Sequence, residues 1–262
     1  MKYTAIIPVL VIALLFGSCK KEGCTDSTAI NYSSDAKKDD GSCRFEVTPA
    51  GVSYDIKSTM GSNQSFTYNE PFKADNGLMI EFTLCQMYLS DLALTNKSGV
   101  RTTYPETYQL IKPTQSIYYV TDLEPNTYSD FSFGFGIDSV TNNTKQPQDF
   151  EVSHVLSYQD PSMHWGWAQK YIFIKLEGKF DSDGDNVPDA DFQFHVGDDK
   201  YYAEITEYFA FFDLLNGNTT TIDMNINWSK FLNGVDLKAT PKAHVTNAVS
   251  DEIIKNLPDA FY

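Results

Sequence analysis

Basic side chains are scarce in this chain of 262 residues: 20 Lys and Arg stand against 35 Asp and Glu, a formal net charge of −15. A nucleic-acid backbone is gripped by a basic face, so this balance excludes a nucleic-acid partner. Histidine and cysteine are scarcer still, at four each. The sequence contains no His-Glu-x-x-His and no Cys-x-x-Cys, which removes zinc-protease and thiolate-cluster readings. It contains no Gly-x-Ser-x-Gly elbow, so a hydrolase triad has no support, and no pair of carboxylates can be placed for glycoside cleavage. Dinucleotide and phosphate-loop glycine patterns are missing as well. Nothing in the chain calls for turnover, and the expectation is a protein that is not an enzyme.

What is present begins with an address. Lys2 precedes an apolar run from Ile6 to Phe16 that closes on Gly17-Ser18-Cys19. An apolar core of ~7–15 residues ending at small residues is a secretory signal, too short to span a bilayer. Gly-Ser-Cys resembles a bacterial lipobox, with Phe16 where Leu is usual. The expectation is a signal peptide over 1–18 and lipid acylation at Cys19. Each buried CH₂ of the acyl chains adds ~0.8 kcal/mol, so the mature protein would stay on a membrane through its lipid anchor. The compartment is then the cell envelope, an outer-membrane protein facing the periplasm or the cell surface. No other segment is long and apolar enough to cross a membrane.

Three cysteines remain, in keeping with an oxidising compartment. Cys24 and Cys43 bracket a short polar segment, and a disulfide closing a loop of that length contributes ~3 kcal/mol, which so small a core requires. Its spelling, Cys24-Thr25-Asp26…Asn31-Tyr32…Asp39-Asp40-Gly41-Ser42-Cys43, resembles short modules of exported Bacteroidetes proteins and implies no activity. Cys85, within Leu78–Cys85, reads as a buried hydrophobe. The organisation expected is a linker with this module over 19–46 and one β domain over 47–262.

From about residue 47 short β-prone runs alternate with Gly, Asn, Pro and Asp turns. Strands are expected at Val47–Ser58, Phe66–Tyr68, Leu78–Asp91, Thr107–Ile111, Ser116–Asp122, Tyr128–Ile137, Tyr171–Lys179, Phe192–Val196, Tyr201–Phe212 and Thr219–Asn227. Helix is expected only near Trp228–Leu232 and Ala248–Asn256. With 16 Tyr and 18 Phe to fill half-buried faces, the fold class is mainly β, an antiparallel β-sandwich with short helical additions, one of them near the C-terminus.

Three features carry chemistry. Met163-His164-Trp165-Gly166-Trp167 gathers two of the three tryptophans, a histidine and a thioether, soft and borderline ligands beside oxidisable indoles. The histidines His154, His164, His195 and His244 each lie beside aromatic or strand residues and could converge on one metal. Asp181-Ser182-Asp183-Gly184-Asp185-Asn186-Val187-Pro188-Asp189 places carboxylates at alternate positions of a tight loop, as a hard cation requires. Asp181, Asp183, Asp185 and Asp189, with the Val187 carbonyl, are the expected calcium ligands, and Asp191 is an alternative to one of them. The loop is similar to thrombospondin type 3 calcium repeats and lacks the closing Glu of an EF-hand.

Residues ~50–262 resemble the MbnP-like domain family, whose founding members are periplasmic copper proteins of methanobactin gene clusters and related surface copper proteins. The resemblance rests on Tyr88–Leu94, Phe133–Ser139, Asp160–Trp167 with Tyr171…Glu177-Gly178, Phe194–Gly197, and His244…Asn256…Ala260-Phe261. It implies a copper site built from histidines, with His195 and His244 the foremost ligands and His164, His154 and Met163 further candidates. It implies too that Trp165 or Trp167 is oxidised to kynurenine by a partner di-haem, MauG-like peroxidase, and that a TonB-dependent receptor or another copper-handling protein is a partner. Lys170 departs from the glycine common before Tyr171. The competing expectation is a non-catalytic surface module whose aromatic side chains bind a carbohydrate or a protein.

Overall fold

The computed structural model describes residues 20–168, 170–244 and 246–262, and of residues 207–210 the backbone alone. The expected leader over 1–18 and the expected acylation site Cys19 lie outside the described residues. The chain divides into two compact units, Met1–Val47 and Thr48–Tyr262. Within the first, a Cys24–Cys43 disulfide links two segments 19 residues apart. Asn31 ties them further: its Nδ2 donates to the Ser42 carbonyl at 2.6 Å and its Oδ1 accepts from the Arg44 amide at 2.7 Å. Cys24 and Ala29 are its buried apolar side chains among the described residues, so covalent and polar closure stand in for a core.

The second unit is mainly β. Its strands are β1 (Ala50–Met60), β2 (Gln64–Ser65), β3 (Phe72–Lys73), β4 (Met79–Asn96), β5 (Arg101–Tyr104), β6 (Gln109–Ile111), β7 (Ile117–Leu123) and β8 (Asn126–Phe135). After α1 (Ser139–Thr144) follow β9 (His164–Trp165), β10 (Lys170–Tyr171), β11 (Ile174–Phe180), β12 (Ala190–Val196), β13 (Ala203–Leu214) and β14 (Thr219–Asn227). A 3-10 helix over Trp228–Leu232, β15 (Lys242–His244), α2 (Ala248–Lys255) and α3 (Leu257–Ala260) complete it.

One sheet runs β14-β1-β2 with β7 also on β1; the larger runs β13-β8-β4-β11-β12-β15, with β3, β5 and β6 also on β4. The pairings are antiparallel except β1 with β14 and β12 with β15, which are parallel. Both exceptions join segments far apart in sequence, as parallel neighbours must be, and a strand-by-strand reading of local pattern does not reveal them. The sheets meet through aromatic rings: Tyr54 of β1 lies 6.4 Å from both Phe131 and Phe133 of β8. Each such fully buried ring contributes roughly 1.5–3 kcal/mol by leaving water. The expected strand at Phe66–Tyr68 is instead an irregular segment whose Phe66 stacks on Phe82 at 5.7 Å. Helix α1, which was not expected, is capped by Asp138, whose side chain accepts from the Thr141 amide.

Alternation along β11 and β12 positions the site. Ile174, Leu176 and Phe180 of β11 and Phe192, Phe194 and Val196 of β12 are buried in the core. The intervening Lys175, Glu177, Gln193 and His195 therefore share the other face. At Gly178, β11 and β4 come too close for a side chain: a Cβ there would lie 2.0 Å from the Glu81 carbonyl oxygen. Gly178 sits where the β11–β4 register shifts, so a bulge needs glycine at that point.

Candidate metal centre

Parallel pairing of β12 with β15 sets His195 opposite His244. Their rings are 4.6 Å apart between centroids and inclined at 77°. A metal–nitrogen bond of ~2 Å puts a ring centroid about 3 Å from the ion, so rings at this separation can address one ion from two sides. Glu177 Oε1 lies 2.6 Å from His195 Nε2. With Nε2 engaged by the carboxylate, Nδ1 is the ring nitrogen left for a metal, the arrangement that orients metal-binding imidazoles. Gln193 Nε2 donates to the same Oε1 at 3.2 Å. The hydrogen bond from His195 is the main cause holding the Glu177 carboxyl below its ordinary range. Burial, and then the neighbouring His195, lower the pKa of His244, which keeps that imidazole neutral and able to bind a metal. His195 is buried and His244 exposed, and a polar cleft of about 250 Å³ lined by Glu177, Asp191, Gln193 and Lys242 adjoins the pair. Two imidazoles braced by a carboxylate are a donor set that suits copper.

Lys175 links this pair to the tryptophan segment. It faces His195 across β11 and β12 and Gln86 across β11 and β4. Its Nζ donates to the Ser162 carbonyl at 2.5 Å, in the segment that leads into β9. Burial lowers the ammonium's pKa while Glu177 holds it up. Gln86 is buried as well, and its Oε1 has no hydrogen-bond partner.

β9 and β10 form a small hairpin that pairs Trp165 with Lys170 and His164 with Tyr171. Met163 is buried, and its carbonyl accepts from the Ile172 amide at 2.9 Å. The His164 ring meets Tyr171 edge-on at 5.0 Å, and its Nε2 is buried without a hydrogen-bond partner. Burial lowers the His164 pKa. Met163, His164, Tyr88 and Tyr171 line a cavity of about 150 Å³. The two tryptophans part company: Trp165 is 7% exposed, with its Nε1 unpartnered, whereas Trp167 is 73% exposed. Their rings lie 6.0 Å apart.

The four histidines do not gather at one point. Among the described residues, the group of three or more carboxylate, thiolate or imidazole ligands within reach of one ion contains no histidine. His195 and His244 face each other; His164 belongs to the hairpin and its cavity. His154 stacks on Phe150 at 4.5 Å, and its Nδ1 accepts from the Leu156 amide at 3.1 Å, so it serves a turn. Burial lowers its pKa too.

The acidic loop gathers Asp181, Asp183 and Asp185, each with an oxygen within 4.8 Å of the others. Asp181 is the buried member, accepting from the Gly184 amide at 2.6 Å and the Asn186 amide at 3.0 Å. Gly184 and Asn186 take the positive φ values of +93° and +67° that so tight a curl requires. Asp189 closes the loop instead of facing its centre, accepting from the Ser182 amide at 2.9 Å and hydroxyl at 3.1 Å. Val187 is exposed and donates its amide to Asp185. Asp191 lies on β12, in the cleft beside Glu177.

Glu177, Lys175 and Gln193 are site residues that motif reading misses. The signal was available in the alternation Lys175-Leu176-Glu177 and Gln193-Phe194-His195, which on two antiparallel neighbours places the polar members side by side.

The MbnP family model matches residues 50–247. No curated protein matches the chain. Among solved structures it is similar to MbnP from Methylosinus trichosporium, at 12% identity and a TM-score of 0.46, over 78% of this chain and 82% of that one.

Proposed function

The chain belongs to the MbnP family, and on that premise we propose that it is a lipid-anchored cell-envelope protein that binds copper between His195 and His244, for sequestration or transfer, with no turnover of its own. The observation that carries this reading is the opposed imidazole pair, 4.6 Å between centroids, with Glu177 on the Nε2 of His195. One imidazole is buried and braced, the other exposed, so an ion can arrive from solvent and be handed on. Copper itself would supply a Lewis-acidic, redox-active centre; the protein's part is to hold two imidazole donors, one of them oriented by the Glu177 carboxylate. Incubating the purified protein with copper and assaying retained metal tests the assignment. Stoichiometric retention in the wild type and its loss in His195→Ala and His244→Ala are expected, and equal retention in all three refutes it.

Two further roles belong to the same reading. Trp167, exposed beside Trp165, is the indole open to an oxidising partner, the MauG-like di-haem peroxidase, and kynurenine formation at one of the two registers as a small gain in intact mass. An unmodified mass in cells that hold such a peroxidase counts against it. Calcium in the Asp181–Asp185 loop has a structural role, pinning the turn between β11 and β12. A TonB-dependent receptor or another copper-handling protein is the proposed recipient.

A second reading has one observation behind it: an open groove of about 610 Å³ lined by Tyr104, Tyr128, Asp122 and Glu124. Aromatic faces flanked by acids suit a carbohydrate. Metal-independent glycan binding abolished by Tyr104→Ala favours that function over copper.

A further inference from the structure

The Cys24–Cys43 unit wears its apolar side chains on the outside. Of the large ones in residues 20–47, Ile30 is 70% exposed, Tyr32 47%, Phe45 51% and Val47 64%. Single exposed apolar residues are ordinary on a protein surface, but here every large apolar side chain of the unit faces out. The backbone holds three of them together. The Ile30 amide donates to the Arg44 carbonyl at 2.8 Å. Asn31 commits its side chain to the Ser42 carbonyl and the Arg44 amide. Segments 30–32 and 42–45 therefore run side by side, and Ile30, Tyr32 and Phe45 form one patch.

The chain is fastened into this unit almost from the proposed anchor. The Lys21 carbonyl accepts from the Lys37 amide at 2.8 Å, and the Gly23 amide donates to the Lys38 carbonyl at 3.1 Å. Cys19 stands two residues before Lys21, a reach of about 7 Å at full extension. A unit of this length has a radius of gyration of about 8 Å, so an acyl group on Cys19 holds all of it at the headgroup layer. Charge separates the two units as well. Residues 20–47 hold five basic and six acidic side chains, whereas residues 48–262 hold 14 and 29. A leaflet with anionic lipid repels the second unit and tolerates the first. Aromatic and aliphatic side chains are the ones that settle at headgroup depth.

We propose that the Cys24–Cys43 unit is a membrane seat, whose Ile30, Tyr32 and Phe45 lie in the lipid interface beside the anchor. The proposal rests on the lipid-anchor reading and adds to it the face that the protein turns to the bilayer. It gives the unit a task that its size suits. Cross-linked by a disulfide, it keeps its shape with its apolar side chains outward, and the acidic second unit begins only where it ends.

The test uses the full chain, expressed with its leader, purified from membranes and returned to vesicles of phosphatidylethanolamine and phosphatidylglycerol. Tyr32→Trp and Phe45→Trp each add one indole to a chain whose tryptophans, Trp165, Trp167 and Trp228, all lie in the second unit. Tyr119→Trp, on a half-exposed side chain of β7, adds a control indole. Fluorescence of each variant is read against wild type, with and without brominated acyl chains, which quench an indole on contact. The added emission at positions 32 and 45 is expected to shift to the blue and to lose most of its intensity to brominated lipid, and that at 119 to do neither. Ile30→Asp combined with Phe45→Trp is expected to bring the quenching back towards the control. Emission at 32 and 45 that matches 119, in a chain whose intact mass carries acyl groups, overturns the seat and leaves the anchor standing. An intact mass without acyl groups overturns the anchor and this proposal with it. A blue shift already present in Cys19→Ser protein without vesicles means that the second unit or a second copy covers the patch, and that overturns the seat too.

Discussion

Glu177 is the residue whose replacement tests the metal centre most sharply without touching a ligand. Its Oε1 takes the Nε2–H of His195 at 2.6 Å and an N–H of Gln193 at 3.2 Å. Partners of this kind cost about 10–100-fold in metal affinity when removed, or about 1.4–2.7 kcal/mol. Glu177→Gln keeps an acceptor for His195 and removes only the negative charge, so it is expected near the tenfold end. Glu177→Ala also frees the ring to rotate and belongs near the hundredfold end. The Glu177 side chain is 26% exposed, so Glu177→Gln should destabilise the unloaded protein by no more than about 1 kcal/mol, a shift of about 2–4 °C for a unit of this size. Copper affinity by chelator competition and thermal melts of the unloaded protein together give the answer. Copper affinity unchanged within about twofold in both variants refutes the claim that Glu177 braces a metal-binding imidazole.

Other outcomes follow from the same geometry. If the acidic loop holds calcium, excess calcium should raise the melting temperature by about 5–10 °C, the effect of ~2.7 kcal/mol at a hundred times Kd, and Asp183→Asn should abolish the rise; a calcium-independent melt contradicts the site. Burial lowers the folded-state pKa of His164. Its contribution to stability is therefore complete above the unfolded value near 6.5 and is lost as pH falls through the lower folded value; His164→Phe should flatten the loss of stability as pH falls below about 6.5, and an unaltered slope counts against it. Gly178→Ala forces a Cβ to within 2.0 Å of the Glu81 carbonyl oxygen and should cost about 1–3 kcal/mol; an unchanged denaturant midpoint means the β11–β4 register is wrong.

Much of the fold was legible because its signals are local. Ile174–Phe180, Ala190–Val196 and Thr219–Asn227 alternate at the strand period, and the 3-10 helix at Trp228–Leu232 and α2 fall where helix was expected. What escaped is what sequence distance hides. β15 is a three-residue strand with no pattern of its own, and only its parallel seam on β12 brings His244 to His195. The individual histidines were visible as candidates, but their separation into a facing pair, a hairpin histidine and a turn histidine is a tertiary fact. Lys175 and Glu177 look like the solvated face of a strand until Ser162 and His195 are seen to cover them. The Asp181–Asp189 loop was the reverse case, because its curl is written in Gly184 and Asn186, although Asp189 turned out to fasten the loop to Ser182.

The most direct measurement of the central claim is elemental analysis of the protein purified from its native envelope, beside a His195→Ala/His244→Ala double variant prepared in the same way. Stoichiometric copper in the wild type, copper lost from the variant and calcium unchanged in both is the predicted result. Copper retained by the double variant, or absent from the native protein in copper-replete cells, contradicts the account.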